Sequence, residues 1–298
     1  MHLKSVLNRV EPLKSFVYKE QRLVEVAGQQ PFPEVDIEAI GVDEIQWRRG
    51  HTYLTLVYQI SGVKRLLWVS HERTEQSLRR FLDVLTNDVR KGIRFVCSDM
   101  WKPYLNVIAE QVPHALHVLD HFHIMKNMNV AIDEVRRQEV AQLRRDGYEP
   151  ALTKSRWCLL KRPENLTDNQ ATRRAELLEY NLKSVRAHLL REEFQRFWGY
   201  ATPAWTGKFL ESWCTRALRS RLAPMKKVVR SLRRHRPLIL NSILALGGIS
   251  AVVVEGFNGK AELTTSKAHG FRTPQGIEFA LFHVMGNSPE PEFTHRFC

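Results

Sequence analysis

Three acidic residues that lie far apart in the chain have the types and positions expected of a metal-dependent site. Asp43 lies within a strand-like run, Asp99 directly follows another, and Glu255 lies in a segment that we predict to be helical. The carboxyl ends of strands in α/β sheets are common locations for ligands and metals. Clustered carboxylates repel one another, and hard divalent cations with oxygen ligands offset that repulsion. These residues therefore predict a catalytic site with two Mg²⁺ or Mn²⁺ ions that acts on a phosphodiester.

A structural role for the same acids is the alternative at this point. The chain has 32 acidic residues, so that apparent triads arise by chance. An aspartate at the end of a strand also commonly caps a turn. Glu44 follows Asp43, and successive strand residues point to opposite faces of a sheet. We therefore expect Glu44 to face away from Asp43.

The elements around the acids alternate in a way that indicates one mixed sheet. Three strand-like runs with short connections precede a helix, and two further strands are separated by another helix. This order, β-β-β-α-β-α-β, is that of a ribonuclease-H-like sheet, in which the first and fourth strands are neighbours. The predicted strands are Ile37–Ile45, Thr52–Ile60, Lys64–Ser70, Ile93–Ser98 and Ala115–Leu119, and the predicted helices are Thr74–Arg90, with Thr74 as its N-cap, and Tyr104–Gln111.

The second half of the chain has a different character. From about residue 126 to 245 the sequence is helical in pattern and dense in Arg, Lys, Leu and Trp. The fold class that we predict is α/β, a ribonuclease-H-like mixed sheet with a large all-helical insertion before the helix that carries Glu255. We divide the chain into an N-terminal helical linker (1–35), the sheet core (36–125), the helical insertion (126–246) and a C-terminal part of the core (247–298).

Composition and charge narrow the class of partner. Hydrophobic residues make up 43% of the 298 residues and charged residues 26%, as in ordinary globular proteins, and the net charge of +13 favours a polyanion such as nucleic acid. No apolar run reaches the ~20 residues that span a bilayer, and the first residues lack the pattern of a secretory signal. We expect a cytoplasmic protein. The four cysteines form no C-x-x-C pair, which argues against a zinc ribbon and against a disulfide framework.

Residues near the three acids are candidates for contact with DNA. Trp101 and Tyr104 could stack on bases, although aromatic residues beside a strand end often belong to the core. Asp120, His121 and His123 end the fifth strand and could orient ligands or contact a phosphate, but a structural hydrogen-bonding role is the stronger alternative. The full set of predicted DNA contacts is Trp101, Lys102, Tyr104, His123, Lys126, Asn258, Lys260, Lys267 and Arg272.

Three segments of the sequence resemble the DDE transposases of the ISL-three group of insertion sequences. In that family a Gly-x-Asp-Glu motif carries the first catalytic acid, and it matches Asp43. A Ser-Asp-Met-Trp-x-x-Tyr segment carries the second and matches Asp99, and a Glu-Gly-x-Asn helix motif carries the third and matches Glu255. The resembling segments are GVDEIQWRRGHTYLTLVYQ, FVCSDMWKPYLNVIAEQVPHALHVLDHFHIMKNMNVAIDEVRR and EGFNGKAELTTSKAHGFR.

The resemblance implies an activity and its partners. It implies metal-dependent cleavage and strand transfer at insertion-sequence ends, with two Mg²⁺ or Mn²⁺ ions held by the three acids, by a bacterial, nucleoid-associated protein that acts as a homodimer or larger assembly on DNA. The N-terminal zinc-binding segment and helix-turn-helix of the family are not visible in the sequence. The chain therefore resembles the catalytic part of a longer transposase. A truncated or decayed copy that binds DNA without cleaving it is the rival interpretation.

Overall fold

A mixed five-stranded sheet organises the first of two compact units. The computed structural model describes residues 37–48, 50, 52–148, 152–245, 251–268 and 271–286, so the predicted linker 1–35 lies outside the described residues. The strands are β1 (Ala39–Arg48), β2 (Thr52–Gln59), β3 (Arg65–Ser70), β4 (Phe95–Ser98) and β5 (Leu116–Leu119), in the spatial order β3-β2-β1-β4-β5. This is the ribonuclease-H-like arrangement predicted from the sequence, and each strand end lies within three residues of its predicted position.

Helices account for most of the remaining described residues. They are α1 (Glu75–Val84), α2 (Asn87–Gly92), α3 (Lys102–Gln111), α4 (His121–Arg145), α5 (Arg156–Leu160), α6 (Asp168–Leu178), α7 (Lys183–Gln195), α8 (Pro203–Arg219), α9 (Ala223–Arg234), α10 (Arg236–Leu244), α11 (Ala251–Lys267) and α12 (Pro274–Met285), with 3₁₀ turns at Pro163–Asn165 and Arg196–Gly199. Within the part of the chain that the structure describes, none of them has the length and hydropathy needed to cross a bilayer.

The prediction of one helix over Thr74–Arg90 was wrong, because two threonines begin two helices there. The Thr74 side chain accepts a hydrogen bond from the backbone N–H of Ser77 and caps α1, as predicted. Leu85 then adopts an extended conformation, and the Thr86 hydroxyl accepts from the N–H of Val89 to cap α2. A threonine at this position offers the backbone an alternative to continued helix, and the apolar periodicity cannot reveal that alternative.

The pairing of the strands fixes which residues share a face. β1 is antiparallel to β2 and parallel to β4, with Gly41 opposite Cys97. Because side chains alternate along a strand, even and odd residues of β1 lie on different faces. Ile40 and Val42 pack with α1 and α3, whereas Ala39 and Ile45 pack with α11 and α12. Asp43 is therefore on the face covered by α11, and Glu44 is on the face covered by α1.

The second unit extends from Val118 to Leu246, and the elements of its described part are helical apart from the last two residues of β5. Phe194, Phe197 and Trp213 form a fully buried aromatic cluster. Buried Glu139 on α4 accepts hydrogen bonds from the backbone N–H groups of Lys183 and Ser184 and so caps α7 from a neighbouring helix. The boundaries of the predicted insertion, 126–246, stay a prediction.

Gly41 permits the close approach of α11 to β1. A Cβ at this position would lie 2.5 Å from Cγ2 of Val254, a distance that Cβ atoms do not tolerate. We expect Gly41→Val to lower the free energy of unfolding by about 1–3 kcal/mol through overpacking. Urea unfolding measures the loss, and the double variant Gly41→Val/Val254→Ala should recover part of it. If the two substitutions changed the free energy of unfolding by strictly additive amounts, the contact between these positions would be contradicted.

Buried His117 makes the stability of the first unit depend on pH. His117 is buried with its Nε2 2.8 Å from the Ser98 hydroxyl, and burial lowers its pKa to about 4. The unfolded chain protonates this ring near pH 6.5, so stability is complete above that pH and falls as the pH drops toward 4.

We expect His117→Gln to remove about 2 kcal/mol of the stability difference between pH 7 and pH 5, as measured by urea unfolding. Some acid sensitivity should remain, because burial also lowers the pKa of His188 in the second unit to about 4. An identical acid sensitivity in the variant and the parent chain would show that His117 contributes nothing.

Candidate active site

Asp43 and Asp99 occupy neighbouring positions on adjacent strands. Asp43 lies in β1, and Asp99 follows β4 directly. Since these strands run parallel with Gly41 opposite Cys97, the positions two residues further along are those of Asp43 and Asp99. Both side chains are buried, with 4% and 8% of their surfaces exposed. Asp43 and Asp99 therefore each lie two residues beyond the last pair of a short parallel ladder.

Helix α11 contacts Asp43 through the side-chain amide of Asn258. The Asn258 side-chain amide donates to Oδ2 of Asp43, and the backbone N–H of Glu44 donates to its Oδ1 at 2.7 Å. Tyr58 in β2 in turn donates its hydroxyl to Oδ1 of Asn258 at 3.1 Å, and its ring stacks on Phe257. Burial, and secondarily the negative charge of Asp43, raise the pKa of Tyr58 well above its ordinary value. The hydroxyl therefore stays protonated and continues to donate.

Glu255 lies on the flank of α11 next to Asn258. Val254, Phe257 and Ala261 form the buried stripe of this helix. At about 100° per residue, Glu255 is rotated by about 60° from Asn258, away from that stripe, and its side chain is exposed. Among the described residues, the carboxyl oxygens of Asp43, Asp99 and Glu255 do not all lie within 4.8 Å of one another. Glu255 is thus exposed on α11, whereas Asp43 and Asp99 are buried.

An arginine that the sequence analysis missed joins two acids at this site. Arg73 Nε lies 2.6 Å from Oε2 of Glu44, and its Nη2 donates to Oδ2 of Asp99 at 3.1 Å. The guanidinium also lies over the Trp101 ring, 4.6 Å from its centroid, and the backbone N–H of Trp101 donates to Oδ1 of Asp99 at 2.9 Å. Arg73 comes just after β3, outside every motif, so only its position in the fold distinguishes it.

The predicted aromatic contacts divide between surface and core. Trp101 is half-buried, and its ring meets the edge of Tyr104 at 4.6 Å between centroids. Tyr104 has no exposed surface, and its hydroxyl is 2.8 Å from that of Thr55. Burial is the main cause that raises the Tyr104 pKa. Tyr104 thus takes the core role that the sequence left open, since it offers no ring face to a base.

The predicted cationic contacts in the first unit are available to a polyanion. Lys102, Lys267 and Arg272 have exposed side chains. Lys260 is also exposed, with its ammonium 5.8 Å from the centroid of the Phe257 ring. The backbone carbonyl of Arg272 accepts a hydrogen bond from Arg48. These cations lie on or after α11, which carries Asn258, and at the start of α3, which directly follows Trp101.

The remaining predicted residues belong to the second unit. Asp120 caps α4, because its Oδ1 accepts from the backbone N–H of Phe122 at 2.9 Å. Its Oδ2 lies 3.2 Å from Nδ1 of His123, which is half-buried. These contacts are compatible with the structural role considered for the pair, and its alternative role toward ligands or a phosphate stays a prediction. Lys126, on the first turns of α4, is exposed.

Comparison with known proteins identifies similar chains. Residues 40–280 match the family model of the ISL-three DDE transposases, whose description is "Transposase". The transposase for insertion sequence element IS1001 of Bordetella parapertussis is 32% identical over 240 residues, which cover 79% of this chain and 58% of that protein. The transposase for insertion sequence element IS1557 of Mycobacterium tuberculosis is 29% identical over 285 residues, which cover 88% and 63% respectively. The chain thus spans about three fifths of these relatives.

The bond between Arg73 and Asp99 can be measured by a double-mutant cycle. We expect Arg73→Gln to destabilise the chain, because it leaves Glu44 and Asp99 without their shared cation. The variants Arg73→Gln and Asp99→Asn should show a coupling of about 0.5–3 kcal/mol in urea unfolding. Arg79→Gln is the matched control, since Arg79 also joins two carboxylates, those of Glu75 and Glu110, but at the surface. If Asp99→Asn showed the same coupling energy with Arg79→Gln as with Arg73→Gln, the coupling would not come from the bond between Arg73 and Asp99.

Proposed function

Because this chain belongs to the ISL-three family of DDE transposases, we propose that it carries the catalytic region of a DNA transposase. In this proposal it cleaves DNA at the ends of an insertion element and transfers the freed 3′-hydroxyl to target DNA. The observation that carries the proposal is the parallel pairing of β1 with β4, since Asp43 and Asp99 each lie two residues beyond the pair Gly41–Cys97. Contact of Asn258 with Asp43 supports it further, because it ties the helix of Glu255 to the same edge.

Membership of the DDE family implies the use of divalent metal ions. The residues present fit such ions, since buried charges in proteins are normally paired or bound to metals, and carboxylate oxygens suit Mg²⁺ and Mn²⁺. In the proposal Asp43 and Asp99 hold two ions, and Glu255 completes the coordination of one. When bound, such a pair activates the attacking oxygen of a phosphodiester displacement and stabilises the leaving oxygen.

The surrounding side chains orient these acids. Asn258 fixes the direction of the Asp43 carboxylate, and Tyr58 fixes the direction of the Asn258 amide. Arg73 and the Trp101 backbone each hold one oxygen of Asp99. Arg73 also balances the charges of Glu44 and Asp99, so that two acids close to the site do not repel the phosphate at full strength. The protein thus holds its carboxylates in fixed directions before DNA arrives, which reduces the reorganisation needed during the reaction.

The exposed cations supply contacts with the DNA backbone. Such contacts determine the position of the duplex but do not read its sequence. We include the half-buried ring of Trp101 as a surface beside the cleaved strand, together with Asn258. In the second unit we propose His123 and Lys126 as contacts. The cations assigned to phosphates around the acids are Lys102, Lys260, Lys267 and Arg272. The net charge of +13 supports binding to a polyanion.

The proposal extends to assembly and location. We propose that a homodimer or a larger assembly holds the two element ends, and that the protein acts at the nucleoid of a bacterial cell.

Asp99→Asn tests the proposed role of the carboxylates. Loss of a group that only orients a metal ligand costs about 10–100-fold in activity, so Asn258→Ala should slow Mg²⁺-dependent cleavage by that amount. Asp99→Asn removes a ligand charge and should reduce cleavage further, below detection. The assay follows nicking of supercoiled plasmid DNA that carries the element ends, with and without EDTA.

Asp83→Asn is the control, because Asp83 is an exposed acid on α1 and its loss should leave the rate unchanged. Circular dichroism and urea unfolding establish that each variant is folded. Metal-dependent nicking by folded Asp99→Asn at the parent rate would refute the catalytic assignment. Salt-sensitive DNA binding by the parent chain without any cut strand would instead favour the non-catalytic alternative.

A further inference from the structure

A surface cleft in the second unit is lined by aromatic and cationic residues that have no part in the proposed catalysis. It lies where the 3₁₀ turn Arg196–Gly199 meets α8, and its volume is about 330 Å³. Three aromatic and three cationic side chains contribute to its lining, namely Tyr200, Trp205, Phe209, Arg196, Lys208 and Arg216. A cleft of this size lies at the lower end of the range for small-molecule sites, about 300–1,000 Å³. It therefore suits a group about as large as one nucleobase.

Trp205 is exposed and is not among the residues that α8 buries. It lies on the first turn of α8 with 63% of its surface accessible. The residues by which α8 packs against its own unit are Thr206, Gly207, Leu210, Trp213, Cys214 and Ala217. An indole in water forgoes the stabilisation that burial of its large apolar surface would give. Trp205 therefore presents its ring at the edge of the cleft, where a ligand can reach it.

The cleft presents positive charge beside this ring. Lys208 lies one turn further along α8, with its ammonium 4.8 Å from the centroid of the Trp205 ring. Arg196 and Lys208 are both exposed and form no ion pair with any residue that the structure describes. Arg216, in contrast, is bonded to Glu193 and to the Ser212 hydroxyl. Two cations of the cleft are thus available to an anionic ligand.

The inner wall of the cleft is formed by packed aromatic rings. Phe209 and Tyr200 are half-buried, with ring centroids 5.2 Å apart, and Phe209 also contacts the buried ring of Phe197. This wall is anchored in the core of the unit, whereas Trp205 stands at the edge. The arrangement therefore combines an apolar wall, an exposed indole that has Lys208 over one face, and a second cation, Arg196.

We propose that this cleft binds one unpaired nucleotide of a DNA strand. The base stacks on Trp205, and the adjoining phosphate lies beside Arg196 and Lys208. Base stacking on an aromatic side chain next to basic residues is how proteins hold single strands without reading their sequence. An apolar ligand would leave both cations unmatched, and a base inside a duplex offers no free face to the indole. The proposal rests on the proposed function for its assumption that the polyanion is DNA.

Binding of a single-stranded oligonucleotide tests the site without any cleavage. The probe is a fluorescein-labelled thymidine oligonucleotide, titrated with the full chain in EDTA and followed by anisotropy and by quenching of tryptophan fluorescence. We expect Trp205→Ala to weaken binding by about 10-fold and to remove most of the quenching. Trp205→Tyr, which keeps a ring, should retain most of the affinity. Binding of the matched duplex should change little.

Trp157→Ala is the matched control. Trp157 is also an exposed tryptophan of the second unit, 49% accessible, with the Arg156 guanidinium 4.8 Å from its ring centroid, but it lies outside the cleft. Its replacement should leave single-strand affinity unchanged. The double variant Arg196→Gln/Lys208→Gln should weaken binding and reduce the slope of log K against log[salt] by about 1–2.

Four outcomes would overturn the proposal. They are parent-like affinity of folded Trp205→Ala, equal losses for Trp205→Ala and Trp157→Ala, absence of single-strand binding by the parent chain, and Trp205-dependent binding of an acidic peptide in place of DNA. Failure of the proposed function is distinguishable, because it appears as loss of metal-dependent cleavage while Trp205-dependent binding in EDTA persists.

Discussion

The parallel pairing of β1 with β4 is the constraint on which the candidate site depends. It sets Gly41 opposite Cys97, and Asp43 and Asp99 each follow that pair by two residues. The same strand sends Asp43 and Glu44 to opposite faces. One residue meets the amide of Asn258, and the other meets Arg73. A slip of one residue in β1 would send Asp43 and Glu44 to the opposite faces and would disrupt the apolar packing on both.

Close packing of α11 against β1 follows from the same arrangement. Gly41 provides the space for Val254, so the helix lies near enough for Asn258 to reach Asp43. The glutamate on the next flank of the helix is thereby brought to the same end of the sheet. Stability and function are thus linked here, because the contact that buries Val254 also sets the distance between the helix and the acids.

Both aspartates accept hydrogen bonds from residues of the first unit. The Asn258 amide and the backbone N–H of Glu44 donate to Asp43, and Asp99 accepts from a guanidinium that it shares with Glu44. Arginine suits this role because its planar fork can bond two carboxylates while its face lies on an aromatic ring. In the second unit, Arg191 is 2% exposed and donates to the Glu192 carboxylate, to the Asn129 side chain and to a backbone carbonyl.

The sequence by itself determined the five strands, the alternation of β1, the cap at Thr74 and the location of Asp43 and Asp99 at neighbouring strands, because period-2 patterns and capping residues act over a few positions. Only the tertiary structure decided the break at Leu85, the part played by Arg73 and the contact of Asn258 with Asp43. That contact joins residues 215 positions apart, and no local pattern encodes which side chain a folded chain brings to meet another. The same holds for Trp205, whose exposure depends on how α8 packs against its own unit.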